Sequence, residues 1–242
     1  MSEPSVATTL DEIQENLYAV QGRINAAANR VGRDPGDVRL IPVTKTVDEQ
    51  RLRTAYQAGI HTFGENKVQE AHQKYQAMDD LEVTWCIIGP LQSNKTRDVA
   101  EFADEFHALD RVKIARRLHD QLTEAGRELS VLIQVNTSAE DTKSGIQPAE
   151  LGTFCDQIQD FTALQINGLM TIAEHSDNKE AIRDNFRQLR TLRDEYRDQL
   201  GAGELSMGMS ADFEIAIEEG ATMVRIGSAI FGARPPHGSA TA

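Results

Sequence analysis

Short apolar runs alternate with amphipathic stretches along most of the chain. The runs fall at about 38–45, 60–65, 83–89, 105–110, 130–137, 164–171, 204–209 and 222–227. Apolar runs this short read as buried strands. Between and after them lie helix-like segments, at roughly 48–58, 66–78, 94–103, 111–125, 148–159, 178–199 and 211–219. Strands and helices alternating in series predict a parallel sheet covered by helices. Eight such strands suggest closure into a (β/α)8 barrel. An open, doubly wound sheet is the structural rival. No Gly-x-Gly-x-x-Gly follows a strand, which argues against it.

One helix precedes that count. Leu10, Ile13, Leu17, Val20 and Ile24 mark a single face at spacings of three and four. Thr9 is placed to cap this helix, and Gly32-Arg33-Asp34-Pro35-Gly36 ends it after Val31. The expected architecture is a single (β/α)8 TIM-type barrel over residues 8–234 with an extra N-terminal helix. Residues 1–7 and 235–242 are expected to be flexible termini.

Composition narrows the class of partner. A chain of 242 residues suits one barrel domain. The formal net charge is −13, spread along the chain, so neither nucleic acid nor an anionic membrane is an expected partner. Cys86 and Cys155 are too few and too isolated for a disulfide framework or a zinc site, and no metal is expected. The start lacks a basic region followed by an apolar stretch, and no apolar run approaches the roughly 18 residues of a membrane span. A cytoplasmic protein with reduced thiols is the expectation. Arginine outnumbers lysine 18 to 7, which makes each lysine informative.

In a barrel of this kind, chemistry gathers where strands end. The first strand-like run ends at Thr44-Lys45-Thr46. A lysine there either snorkels to solvent or is held to form a Schiff base with a carbonyl compound. The second strand ends at Glu65-Asn66, where Asn66 either caps the next helix or bonds a ligand substituent. The eighth carries Arg225 within an apolar run and ends in Gly227-Ser228. Glycine admits close backbone approach, and a helical turn starting at Ser228 would offer free N–H groups to phosphate. Ser210 would cap the helix after the seventh strand, beside that cradle. Arg225 either pairs with a carboxylate such as Glu65 or contacts a heterocycle nitrogen. Because arginine accepts no proton, such a nitrogen stays unprotonated and the ring is a weak electron sink.

Seven motifs occur in order: Val43-Thr44-Lys45-Thr46, Phe63-Gly64-Glu65-Asn66-Lys67-Val68-Gln69-Glu70, Ile88-Gly89-Pro90-Leu91-Gln92-Ser93-Asn94-Lys95, Lys143-Ser144-Gly145, Gly168-Leu169-Met170, Leu205-Ser206-Met207-Gly208-Met209-Ser210, and Met223 to Gly232. In these the chain resembles the pyridoxal-phosphate homeostasis protein family, from about residue 10 to 234. The resemblance implies a barrel like the N-terminal domain of alanine racemase. It implies pyridoxal 5′-phosphate held as an internal aldimine on Lys45. Arg225 would lie near the pyridine nitrogen, with Ser210, Gly227 and Ser228 near the phosphate, and Asn66 and Met209 complete the cofactor-binding set. Two departures stand out. Cys86 occupies the place of a usual family histidine, and Lys67 that of a tyrosine or arginine. Lys95 and Lys143 are candidate mouth lysines.

The resemblance implies a carrier in vitamin B6 homeostasis, without robust catalysis, delivering the cofactor to apo enzymes as a monomer or weak dimer. The alternative is an amino-acid racemase using the same lysine. That reaction needs a base on each face of the substrate α-carbon. The four tyrosines, Tyr18, Tyr56, Tyr75 and Tyr196, all fall on expected helices and none at a strand end. A third reading gives Lys45 a Schiff base with a substrate and no bound cofactor.

Overall fold

A computed structural model describes residues 6–138, 144–174 and 176–232. Eight parallel strands form one sheet: β1 (Arg39–Pro42), β2 (Thr62–Glu65), β3 (Thr84–Ile87), β4 (Glu105–Leu109), β5 (Leu129–Gln134), β6 (Leu164–Met170), β7 (Glu204–Ser206) and β8 (Met223–Ile226). Their order is β1-β8-β7-β6-β5-β4-β3-β2. The end strands meet through a bridge between Val43 and Gly64, where the Thr44 N–H donates to the Gly64 carbonyl at 2.9 Å. The sheet is thereby curled into a nearly closed barrel, as the alternating pattern predicts.

Helices follow the strands around the outside: α2 (Glu49–Gln57), α3 (Val68–Ala77), α4 (Thr96–Phe102), α5 (Val112–Ala125), α6 (Leu151–Ile158), α7 (Lys179–Glu195), α8 (Phe213–Glu218) and a short α9 (Ser228–Phe231). The preceding helix, α1 (Leu10–Arg30), packs against α2, α8 and α9 and covers the barrel where the chain begins and ends. Thr9 caps it as expected: its hydroxyl accepts from the Glu12 N–H while the Glu12 carboxylate accepts from the Thr9 N–H. Ile13, Val20 and Ile24 are buried beneath it. Ala7 belongs to the segment expected to fray, yet it is buried and donates its N–H to the Phe231 carbonyl.

Several elements are shorter than their apolar runs. β1 stops at Pro42, although the expected run continues to Lys45, and β7 stops at Ser206 although Met207 is apolar. Val43 and Met207 are buried all the same. The walls of the mouth need apolar packing beyond the last ladder bond, so hydrophobicity outlasts the strand. Arginines of α7 pair with carboxylates of the next helix. Arg183 reaches Glu218 at 2.6 Å and Glu219 at 2.9 Å, and Arg190 meets Glu219 at 3.1 Å, tying α7 to the end of α8.

Phe63, Phe106, Phe186 and Phe213 are the largest fully buried side chains. Phe106, on β4, is wholly enclosed. Replacing it with alanine removes its packing and leaves a cavity, at about 3–5 kcal/mol. For a domain of this size, each 1 kcal/mol lowers the thermal midpoint by about 2–4 °C. Calorimetry of Phe106→Ala is expected to show a drop of roughly 6–20 °C; an unchanged midpoint contradicts this packing.

Candidate functional site

A cavity of about 890 Å³ opens at the C-terminal mouth of the barrel. Its lining brings together all seven residues expected at the site: Lys45, Asn66, Met209, Ser210, Arg225, Gly227 and Ser228. They come from the ends of β1, β2, β7 and β8, which closure makes neighbours. Val43, Val47, Ile88, Ile172 and Phe231 supply apolar wall. Among the described residues of the lining, the charged ones are Lys45, Arg51 and Arg225, with no aspartate or glutamate. In a chain of net charge −13, this is a local reversal of sign. It suits a small ligand with an anionic end and an apolar body.

Lys45 stands just beyond β1, half-buried in the wall. Thr46, next to it, has φ +65, the one left-handed non-glycine among the described residues. Asn66 caps nothing. Lys67 occupies the N-cap of α3, without a side-chain bond. A Cβ at Gly89 would lie 2.1 Å from the Asn66 carbonyl oxygen, so only glycine lets the end of β3 pass so close to the asparagine.

Arg225 is buried within the barrel, and its partners differ from the carboxylate pairing weighed above. It donates to Ser206 Oγ at 2.8 Å and to the Thr171 carbonyl at 2.8 Å. Glu65 is held instead by Lys74 and by the Thr44 hydroxyl. Burial lowers the Arg225 pKa to about 10, with the Asp212 charge opposing, so the group is a cation at neutral pH. Behind it a polar chain crosses the barrel. His107 Nδ1 lies 3.1 Å from Ser206 Oγ, and His107 Nε2 lies 2.9 Å from Glu105 Oε2. Arg39 donates to both Glu105 oxygens at 2.6 Å. Burial lowers the His107 pKa, so the ring is neutral. A neutral ring bonded to a carboxylate through Nε2–H has Nδ1 free to accept from Ser206, which in turn accepts from Arg225.

Cys86 belongs to this chain and not to the mouth. Its Sγ lies 3.3 Å from His107 Nε2, and burial raises its pKa well above the ordinary thiol value. The side chain at position 86 is buried against His107 and is not among the described residues of the cavity lining. Cys86, Glu105 and His107 bring potential metal-binding atoms together. Arg39 already occupies both Glu105 oxygens, so the cluster is satisfied without an ion.

At the other end of the cavity, the Ser228 hydroxyl donates to Ser210 Oγ at 3.3 Å. Ser210 does not cap α8. That position belongs to Asp212, whose carboxylate instead accepts from the Met209 N–H at 2.6 Å. A Cβ at Gly227 would lie 2.9 Å from the Val43 carbonyl oxygen, so this turn too is pressed onto β1. α9 does start at Ser228, but it is one turn long. Lys95 pairs with Asp98 at 3.2 Å and is not in the cavity wall. Lys143 lies outside the described residues. Arg51 was not legible as a mouth residue, because in sequence it is one more charge on an amphipathic helix. Its guanidinium donates to the Ala7 and Phe231 carbonyls, which pins α2 to the chain ends beside the cavity.

Together these features define a parallel barrel whose mouth suits a small anionic ligand within reach of one lysine. A model of the alanine racemase N-terminal domain matches residues 11–235. The pyridoxal phosphate homeostasis protein of Pseudomonas aeruginosa is 44% identical over 225 residues, covering 93% of this chain and 97% of that one. Its Escherichia coli counterpart is 44% identical over 232 residues, covering 93% and 98%. The structure of PipY from Synechococcus elongatus with pyridoxal phosphate bound superposes with TM-score 0.78 at 36% identity, covering 91% of this chain and all of that one. An alanine racemase from Streptomyces lavendulae shares the fold at TM-score 0.74 and 17% identity, and this chain spans 60% of its length. The chain belongs to the pyridoxal phosphate homeostasis protein family, built on the alanine racemase N-terminal domain.

The buried chain predicts the acid limb of stability. Burial would raise the Glu105 pKa, but His107 and Arg39 bring it down to about 2, against an ordinary value of 4.5. That contribution is present above pH 4.5 and is lost as pH falls toward 2. His107, lowered from 6.5, adds a loss that begins below pH 6.5, because the unfolded ring binds a proton that the buried ring refuses. The thermal midpoint is therefore expected to fall steadily as pH drops below 6.5, and Glu105→Gln is expected to flatten the lower part of that limb. A midpoint constant down to about pH 4 contradicts these assignments.

Proposed function

We propose that this protein binds pyridoxal 5′-phosphate in the barrel mouth, joined to Lys45 as a Schiff base, and serves intracellular vitamin B6 homeostasis as a carrier. The observation that carries the reading is the cavity lining, which among the described residues has three cations and no carboxylate, with Lys45 just beyond the end of the first strand. The residues present fit the group. Ser210, Ser228 and the Gly227 backbone offer hydrogen-bond donors for a phosphate. Arg225 offers a donor to a ring nitrogen and accepts no proton from it, while Asn66 offers its amide to a ring substituent. Val43, Ile88, Ile172 and Met209 give the ring apolar surface. The bound cofactor supplies an electrophilic aldehyde. The protein's own contribution is a lysine to hold it and donors to orient it.

The same lining argues for carriage over racemisation. Lys45 is the one side chain of the described lining that can act as a base; no tyrosine, histidine or acidic residue is among them. Racemisation requires proton transfer on both faces of the α-carbon, and the described residues of this mouth offer one base. An arginine beneath the ring nitrogen also leaves the ring a weak electron sink. The cavity opens at the barrel mouth, which supports transfer of the cofactor to apo enzymes. The acidic surface argues against nucleic acid and anionic membrane as partners. No described helix is long and apolar enough to cross a membrane, and two buried free thiols accord with the cytoplasm. We take the working form to be a monomer or weak dimer.

Two assays test the proposal. Protein loaded with pyridoxal phosphate is expected to restore activity to an apo enzyme that uses it, while racemising L-alanine no faster than the free cofactor does. Racemisation above that background, abolished by Lys45→Ala, contradicts the carrier reading. Lys45→Ala is further expected to keep the fold and to lose the covalent link at position 45. Ligand affinity is expected to fall at least tenfold, since an interaction of about 1.4 kcal/mol is already a factor of ten. Unchanged affinity in that variant sinks the assignment of this lysine.

A further inference from the structure

We propose that Glu70 and Lys74 are positioning residues for Lys45, gripping the backbone on either side of it so that its amine is delivered to the cavity. The inference rests on the reading of Lys45 as the cofactor lysine. Thr46, at φ +65, is an outlier, because its Cβ crowds the backbone in the left-handed region. Such a residue persists only where its surroundings over-determine it.

Here the surroundings come from helix α3. The Thr46 N–H donates to Glu70 Oε1 at 2.7 Å. The Thr44 carbonyl accepts from Lys74 Nζ at 2.8 Å. The same ammonium bonds Glu65 Oε1 and Glu70 Oε1, each at 2.7 Å. Thr44 is fixed further by its hydroxyl, which donates to Glu65 Oε1 at 2.6 Å. The peptide groups before and after Lys45 are thus both tied to one charged cluster. The helix bearing that cluster is itself seated by aromatic packing: the Tyr75 ring meets Trp85 edge-on at 6.4 Å and stacks on Phe102 at 5.2 Å.

Neither Glu70 nor Lys74 is among the described lining residues, so any effect on the ligand passes through the groups they hold, the Thr44–Lys45–Thr46 segment and Glu65. Nor is the cluster explained by stability alone. Buried ion pairs are often no more stabilising than apolar packing of the same volume. What the cluster supplies here is geometry: a strained step that turns the chain out of β1 at the lysine. Glu70 acts as the acceptor that holds the step, and Lys74 joins it to the strand end.

The test separates the covalent from the non-covalent part of binding. Pyridoxine 5′-phosphate has the ring and phosphate but no aldehyde, so it reports the pocket without the lysine. Glu70→Ala is expected to weaken pyridoxal phosphate binding about tenfold and to slow growth of the imine absorbance, while pyridoxine 5′-phosphate affinity stays within about twofold. Glu70→Gln keeps an acceptor for the Thr46 N–H and is expected to recover most of the loss. Thr46→Gly in the Glu70→Ala background is expected to recover part of it, since glycine takes the left-handed step without strain. The same background serves if Glu70→Ala alone folds poorly. Equal losses for both ligands, or no loss for either, overturn the clamp. A wild-type protein that forms no adduct at Lys45 fails earlier and differently, before any Glu70 variant is made, and overturns both readings.

Discussion

The eight strands close on themselves at one place, the bridge between Val43 and Gly64 with its bond from the Thr44 N–H. Much of the mouth depends on that closure. It brings the end of β1, with Lys45, beside the end of β2, with Asn66. On its other edge β1 pairs with β8, in a register that places Ile41 opposite Arg225. Glycine permits the close passages on both flanks, at Gly89 over Asn66 and at Gly227 against Val43. A sheet left open between β1 and β2 would hold these same residues apart. Parallel closure, more than any single residue, converts strand ends far apart in sequence into one lining.

Charge is organised in depth. The surface is acidic, the mouth is cationic, and the interior carries a neutral histidine between a carboxylate and a serine. This arrangement lets a buried arginine stay charged. Among the described residues Arg225 has no carboxylate in hydrogen-bond contact, and it donates to the Ser206 hydroxyl oxygen and the Thr171 carbonyl. A cation held by dipoles, without a bonded counter-ion, keeps more of its field for an incoming anion than one neutralised by an ion pair. The Glu105–Arg39 pair sits at the far end of the same chain and satisfies the histidine without discharging the arginine.

Much of this was legible in the sequence, for physical reasons that differ by element. The barrel could be read because each strand is a short apolar run and each long helix shows its period of 3.6. Lys45 and Arg225 could be read because a charge at the end of, or within, an apolar run is costly and so informative. The extent of β7 could not, because apolar packing of the mouth continues after the ladder stops. The roles of Ser210 and Asn66 as helix caps were plausible from residue type, but the turns between strand and helix decide which residue reaches the cap. Arg51, Glu70 and Lys74 were hidden for one reason: on a helix, a charge facing the barrel and a charge facing water look alike in one dimension. Cys86 showed the reverse, a position flagged by resemblance whose side chain is buried against His107 and is not among the described lining residues.

The central claim is that Lys45, among seven lysines, is the one that carries the cofactor. The direct measurement is borohydride reduction of the protein after addition of pyridoxal phosphate, followed by peptide mapping. The account predicts an absorbance band near roughly 420 nm that vanishes on reduction, with one pyridoxyl group found on Lys45. A pyridoxyl group on another lysine, or no band at any cofactor concentration, would contradict it.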